Sequence, residues 1–566
     1  MSHLSKIFEE APIKVQNRNG FDLSHLNCGT AKTGQLVPVL CKLLPPNTSI
    51  SLGISMNVEL PPLATQAFGR IDAICEGFVI PCSILYGGWK AFIQNQQSTD
   101  FPSSQSSVEA GGGFALPQWN FSAVVSGNLA NFLSLYGTND NVFEYLGIRI
   151  PKSLTPPASS VDLFISLLPA LAYHLIWNTY YRNKQITKSV FAINPNTAYA
   201  TGLNAKNVSL AWHSFYTLGT DSQAVSGTSG AVFGDTASLM FPDGVSVFST
   251  RQRNYARDYF TAATPDPQQG GASSLRFDVD TVGETGEFTI ASLRAANSLQ
   301  KFLETNSLSA DYAEQMRNRW GTRPIDADFD EPYYLGRVVL PVYQKSVYQQ
   351  NDSDTGAGTS SNPFASSGQL GAKGASAAFN GEGSICDKFT NTTWAYIMCI
   401  FSLVPHAAYG YGLNRELTML KIGDFPAPEL QSVGNEEIKS YELMLDAGTD
   451  ISADYAYIPR FSRFKYMDDE IHGELRPGRT LESFVIQRRL SFPNDTAKLS
   501  TSFLEIPQNA LDSVFAVSTA AMNLSCWYEI YFKFRVSMPL ADFCIPTLGD
   551  IQDTHTIKTP IGGSRL

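Results

Sequence analysis

From Gln35 the chain alternates in the manner of β-strands. Val37, Val39 and Cys41 alternate with Pro38, Leu40 and Lys42, a turn signal follows at 45–47, and 50–60, ISLGISMNVEL, alternates again. Residues 71–85, IDAICEGFVIPCSIL, read as a third long strand broken by Pro81. Three strands in succession without an intervening helix predict an antiparallel sheet. Strand character returns from about Thr390. The run 394–413, WAYIMCIFSLVPHAAYGYGL, is apolar enough to suggest a membrane span, but Pro405, His406 and its β-branched and aromatic content predict buried strands with a turn instead. The pattern closes at 524–538, where Tyr528, Ile530, Phe532 and Phe534 alternate with Glu529, Tyr531, Lys533 and Arg535.

The middle of the chain has a different period. In 168–183, LPALAYHLIWNTYYRN, Pro169 suits a first helical turn, and Tyr173, Ile176, Trp177 and Tyr180 share a face. Leu171, Ala172 and Leu175 form a second apolar strip interrupted only by His174 and Asn178, so the helix is predicted to be buried between other elements or between subunits. Helical character is expected over 160–184 with Pro169 dividing it, ending in an aromatic and basic tip, Tyr180, Tyr181, Arg182 and Lys184. Thr289 caps a second predicted helix in which Leu293, Ala296, Leu299 and Leu303 recur, and a third is predicted over 309–320. Loops fill 97–113, 205–271 and 351–383, the last as a mobile loop or extended strap. β-rich ends around a helical, loop-rich middle fit one mainly β fold, a β-sandwich with large insertions, better than consecutive domains.

Composition changes the picture in two ways. Charged residues make up 16% of the 566, below the roughly 25% of an ordinary soluble domain, as extensive burial in protein contacts would require. The net charge is −11, so the surface as a whole does not grip phosphate, and contact with nucleic acid must be local or mediated by a basic partner. The eight cysteines form no C-x-x-C pair and have no zinc-ligand spacing with the histidines, so they read as reduced, mostly buried thiols. The first twenty residues are polar and mixed in charge, unlike a signal peptide.

No catalytic motif is present: no G-x-S-x-G, no H-E-x-x-H and no Walker loop. Asp326, Asp328 and Asp330 open like a calcium loop, but Glu331 stands where its turn needs glycine. The chain is therefore expected to be no enzyme, with no cofactor and no assigned metal. Four basic and aromatic clusters suit single-stranded nucleic acid, which is bound by cationic grooves with stacking platforms. They are the tip with Arg182 and Lys184; Arg251, Arg253 and Arg257 with Tyr255; Arg317, Arg319 and Arg323 with Trp320; and Arg460, Arg463 and Lys465 with Phe461, Phe464 and Tyr466. The competing reading is that these arginines pair with acids within or between subunits. The last cluster leads and the helix tip comes second, because strand alternation would put Phe461, Arg463 and Lys465 on one face and Arg460, Phe464 and Tyr466 on the other.

Eight blocks in order along the chain carry a family resemblance. They are NRNGFDLSHLNCGTAKTGQLVPV (17–39), LIWNTYYRN (175–183), RQRNYARDYFTAATPDPQQGG (251–271), FTIASLRAANSLQKFLE (288–304), EPYYLG (331–336), YGYGLNREL (409–417), DYAYIPRFSRFKY (454–466) and MPLADFCIPTLGD (538–550). Together the chain resembles the major capsid protein of microviruses (Microviridae), small single-stranded DNA bacteriophages, and of their gokushovirus-like branch above all. Arg463 departs from the family, where an acidic residue is common. The resemblance implies a viral jelly roll of eight antiparallel strands, drawn mainly from 35–95 and 385–545, with 96–384 as a helix- and loop-rich insertion. It implies a small (T=1) icosahedral shell of about sixty copies around circular single-stranded DNA. It also implies a surface protrusion at the threefold axes, for which 205–271 is the candidate, and a host surface receptor. Further expected partners are a small basic DNA-packaging protein and a DNA pilot protein; no membrane is involved. The protein is then a virion component assembled in the host cytoplasm. A β-sandwich adhesin or spike that binds carbohydrate is the alternative.

Overall fold

The computed structural model describes residues 18–63, 67–85, 140–149, 164–187, 247–267, 331–342, 378–445, 452–488 and 498–540, with short pieces between them. The predicted helix at 309–320, the loop at 97–113, the arginines at 317, 319 and 323, the aspartates at 326, 328 and 330, and the block beyond 540 lie outside the described residues.

Two antiparallel sheets face each other across the main core. Strands β1 (Asn19–Asp22) and β2 (His25–Ala31) pair with successive stretches of β11 (Cys526–Met538), which pairs with β4 (Thr48–Glu59), which pairs with β7 (Ala378–Asn391). The second sheet runs β3 (Val37–Leu44), β8 (Ala395–Pro405), β5 (Ile71–Pro81) and β6 (Tyr333–Val342). With β1 and β2 counted as one interrupted strand, each sheet has four strands. The chain crosses repeatedly between the layers, as in β2 to β3 to β4 to β5. The strands predicted from 37–42, 50–60 and 71–85 are thus present but form no sheet of neighbours: β4 lies across the core, and β3 and β5 flank β8. The sheets also use strands outside 35–95 and 385–545, namely β1, β2 and β6.

Burial explains which strand goes where. β11 buries Tyr528, Ile530, Phe532, Phe534 and Val536 and exposes Glu529, Tyr531, Lys533 and Arg535, so one face of its sheet is wet. β5 is buried along its whole length, and β8 along all of its length except half-buried Tyr396. One face of that sheet, with Ala73, Cys75, Ile397 and Phe401, meets Ile54, Ile530 and Phe532 across the sandwich. The other, with Phe78, Ile80, Met398 and Ile400, packs under helix α1 (Leu168–Ile176). A strand covered on both sides reads as a continuous apolar run, which is why 394–413 resembles a membrane segment; no described helix is long and apolar enough to cross a membrane.

Helix α1 starts later than expected, because Phe164–Ser166 is a short strand, and Pro169 sits in the helix's first turn. It continues as a π-helical turn over Trp177–Tyr181, in which the Arg182 N–H donates to the Trp177 carbonyl at 2.9 Å. The wider turn rotates Tyr180 off the buried face that Tyr173, Ile176 and Trp177 share: those three are buried, whereas Tyr180 is 37% exposed. The described residues of the second predicted helix, 294, 298–299 and 301–303, are helical. The predicted strap at 351–383 ends as the beginning of β7, which pairs with β4 from Ala378. The described cysteines are free thiols, and Cys75, Cys82, Cys399 and Cys526 are buried.

Candidate nucleic-acid interface

The segment 251–264 lies as a strap across α1 and the second sheet. Arg251 donates from Nε to His174 Nδ1 at 3.1 Å and stacks its guanidinium 4.5 Å from the Trp177 ring centre. With Nδ1 accepting, Nε2 of His174 donates to the Val247 carbonyl at 2.9 Å. Burial, reinforced by Arg251, holds this imidazole well below its ordinary pKa, so it stays neutral. The Tyr173 hydroxyl donates to the Leu36 carbonyl at 2.8 Å and accepts from the Arg251 N–H at 2.7 Å. Farther along, Glu76 Oε2 on β5 accepts from Tyr181 at 2.5 Å and from Arg253 at 2.7 Å, and Arg253 also donates to Ser402 on β8 at 3.0 Å. Of the arginines in this cluster, Arg251 and Arg253 are therefore tied inside the subunit, and Arg257 is exposed.

Of the candidate protrusion at 205–271, the described residues are 232–233, 245 and 247–267. Its described later part turns inward: Arg251, Tyr255, Asp258, Tyr259, Phe260 and Ala263 are buried. Val232–Phe233 pairs with Gln118–Asn120. At the tip of α1, Arg182 donates to the Asn178 carbonyl at 3.3 Å and the Thr187 carbonyl at 2.7 Å, closing the turn that follows the helix. Lys184 is half-buried beside it.

The leading cluster lies at the end of β10 (Asp454–Pro459), which pairs with β9 (Asn435–Lys439). The expected two-faced strand through Lys465 is not there. Phe461 takes the left-handed conformation at φ 61, its N–H donates to Glu436 Oε1 at 3.1 Å, and Ser462–Phe464 forms a 3₁₀ turn. Holding a non-glycine residue there costs about 1 kcal/mol, which the buried Phe461 ring offsets. The turn divides the cluster differently from a pleat. Arg463 points inward, with 11% of its side chain exposed, and its Nη2 lies 3.5 Å from Glu442 Oε2. Arg415 reaches Glu442 Oε1 at the same distance, and the Tyr259 hydroxyl donates to Oε2 at 3.1 Å. Burial pushes the Glu442 carboxyl above its ordinary pKa against the pull of the Lys439 backbone N–H and the two guanidiniums. Arg460 lies over the Phe461 ring at 5.3 Å. Lys465, Phe464 and Tyr466 are the exposed members of the cluster, and Arg460 is half-buried.

Beside this turn opens a cleft of about 290 Å³ lined by Tyr409, Arg415, Arg463, Tyr466 and Asp468 among others. Behind it, buried Asp258 accepts from the Tyr409 hydroxyl at 2.7 Å, and Tyr409 accepts from Arg488 at 3.0 Å. Asp468 accepts from the Tyr259 N–H at 3.4 Å, and burial together with the nearby Asp258 carboxylate raises its pKa from 3.8 to about 7. Sequence reasoning assigned no role to Glu442, Asp258 or Arg488, and it read the pair Asp468–Asp469 as solvated turn residues, whereas Asp468 is half-buried. Asp258, Tyr409 and Arg415 stand inside the recognised blocks, but nothing local marks Glu442 or Arg488 as their partners. No metal-binding group of three ligands occurs among the described residues.

Residues 158–548, more than half of the chain, match the family model described as capsid protein (F protein) of phages. The chain belongs to this phage capsid protein family. It is 20% identical to the capsid protein VP1 of Chlamydia phage 1 over 96% of this chain and 97% of that one. It is 19% identical to the capsid protein VP1 of Bdellovibrio phage phiMH2K, over 89% of this chain and 90% of that one. Both relatives are microvirus proteins, as the eight blocks imply. The role of this phage capsid protein is structural and not enzymatic, and its place is the virion.

Proposed function

We propose that this capsid protein assembles as a small (T=1) shell of about sixty copies enclosing a circular single-stranded DNA genome. The observation that carries the reading is the strand order, β1/β2–β11–β4–β7 against β3–β8–β5–β6, in a chain of the phage capsid family. We read this order as the eight-stranded jelly roll of viral shells, with the segments between β5 and β7 as its insertion. A subunit of net charge −11 cannot neutralise a genome, so a small basic DNA-packaging protein is its natural partner, with a DNA pilot protein, and assembly takes place in the host cytoplasm. The rival reading, a carbohydrate-binding adhesin or spike, would give monomers or trimers.

Genome contact is assigned to Lys465, Phe464 and Tyr466, with Arg460 and Arg463 shaping the turn that presents them, and with Arg182 and Lys184 as a second contact. The Lys465→Ala variant should form shells with less DNA, read as absorbance ratio and phosphate per particle, at unchanged subunit stability. Arg463→Ala strips Glu442 of one of its two guanidiniums and should instead destabilise the subunit by about 3 kcal/mol. Full DNA content in Lys465→Ala particles would contradict the assignment. Host attachment is assigned to 205–244, the part of the candidate protrusion ahead of the buried strap. Its deletion should leave shells intact and abolish adsorption to host cells; adsorption at the wild-type rate would rule that out.

A further inference from the structure

Between Tyr411 and Asn435 the chain leaves the body as an arm of three short 3₁₀ turns, Arg415–Thr418, Ile422–Asp424 and Pro428–Val433. Its apolar side chains point the wrong way for a surface loop. Leu417 is 72% exposed, Leu420 88%, Ile422 94% and Phe425 55%. Its polar groups, by contrast, are turned to one another. Asn414 Oδ1 accepts from the Glu416 N–H at 3.0 Å, and Asp424 Oδ2 accepts from the N–H groups of Leu420 and Lys421 at 3.1 and 2.9 Å. The Thr418 hydroxyl donates to the Arg415 carbonyl at 2.7 Å. The base is pinned as well: Arg415 donates to the Glu437 carbonyl at 2.7 Å, and the Leu413 N–H to the Tyr441 carbonyl at 2.8 Å. Gly412, at φ +86, passes so close to the backbone of Glu442 that a Cβ would lie 2.1 Å from its carbonyl oxygen. The arm is a shaped, anchored knob with an apolar tip, so little conformational entropy is lost when the tip is buried.

We propose that this tip, Leu417, Leu420, Ile422 and Phe425, seats in a second copy of this chain and holds neighbouring subunits together. The proposal rests on the shell reading given above. Three observations select a second copy over other occupants. The exposed apolar area of the tip is on the order of 500 Å², at the upper end for a monomer's largest patch and more than half of one side of a standard interface. The charges on the arm, Arg415, Glu416, Lys421, Asp424 and Glu429, nearly cancel, so it has no field to draw either DNA or a strongly basic protein. The chain is a capsid protein with few charged residues, whose copies must bury large surfaces against one another.

The test compares the full-length wild-type chain with Leu420→Asp/Ile422→Asp. The assembled fraction is read by sedimentation and electron microscopy, and the fold of the unassembled subunit by thermal unfolding. The variant should fold as the wild type does and lose assembly by roughly tenfold or more, while Leu420→Met/Ile422→Leu retains it. Should the aspartate variant not fold, hydrogen exchange on wild-type protein decides: the amides of 417–425 should be slower in shells than in free subunits. Aspartate-variant shells at wild-type yield, or equal exchange in both states, would overturn the knob and leave the shell reading standing. Normal shells with lost infectivity would make the tip a receptor ligand and overturn the proposal equally. Failure of the wild type itself to form shells would instead remove the reading on which it rests.

Discussion

Asp468 sits at the edge of a cleft, beside the Asp258 carboxylate. Its pKa rises from 3.8 to about 7 because burial and Asp258 both oppose its charge. The folded subunit therefore binds a proton that the unfolded chain has released between those values. The favourable contribution is complete below pH 4 and is lost as the pH rises to about 7. Asp468→Asn should flatten this dependence and raise subunit stability at pH 8 by about 1 kcal/mol once solvent screening is discounted, as measured by denaturant unfolding at pH 5 and pH 8. An unchanged pH profile would contradict this account of the carboxyl. Residues of this kind were the least legible in the sequence. Arg463 and Lys465 stand two apart, as on one face of a strand, but the left-handed Phe461 sends one inward to Glu442 and leaves the other in solvent. Glu442 lies 21 residues away in the chain, and its partnership exists only once β9 and β10 have paired.

Elements were far more legible, because one-sided burial writes a period into the chain. β11 and β4 have the inward and outward positions that their alternation predicts, and the apolar helix is buried under the second sheet. What the period could not give was the partner of each strand. Alternation is the same whichever sheet a strand joins, so the assignment of β4 across the core from β3 and β5 is a property of the assembled sandwich. The π-helical turn was equally silent in the sequence, since it adds a residue to a turn without changing composition. That turn has a measurable consequence. It aims Tyr181 at buried Glu76 and Tyr180 at the Pro332 carbonyl near the surface. Tyr181→Phe should cost about 1–3 kcal/mol in denaturant unfolding of the free subunit, and Tyr180→Phe less than about 1 kcal/mol. Equal losses would mean that Glu76 does not lock the helix to the sheet.

At the scale of the whole molecule, the features that look anomalous for a free monomer agree with one another. Few charges and an arm with an apolar tip are unfavourable in isolation, and they suit a capsid subunit that buries surface against copies of itself. The family was legible in the sequence because eight separated blocks keep their order, and the family match over 158–548 agrees with them. Copy number and symmetry are properties of the assembled shell. Electron microscopy of the purified full-length protein tests them most directly. The account predicts closed icosahedral shells of uniform small diameter with about sixty subunits each. Monomers, isolated trimers or open sheets under conditions where the subunit is folded would contradict it.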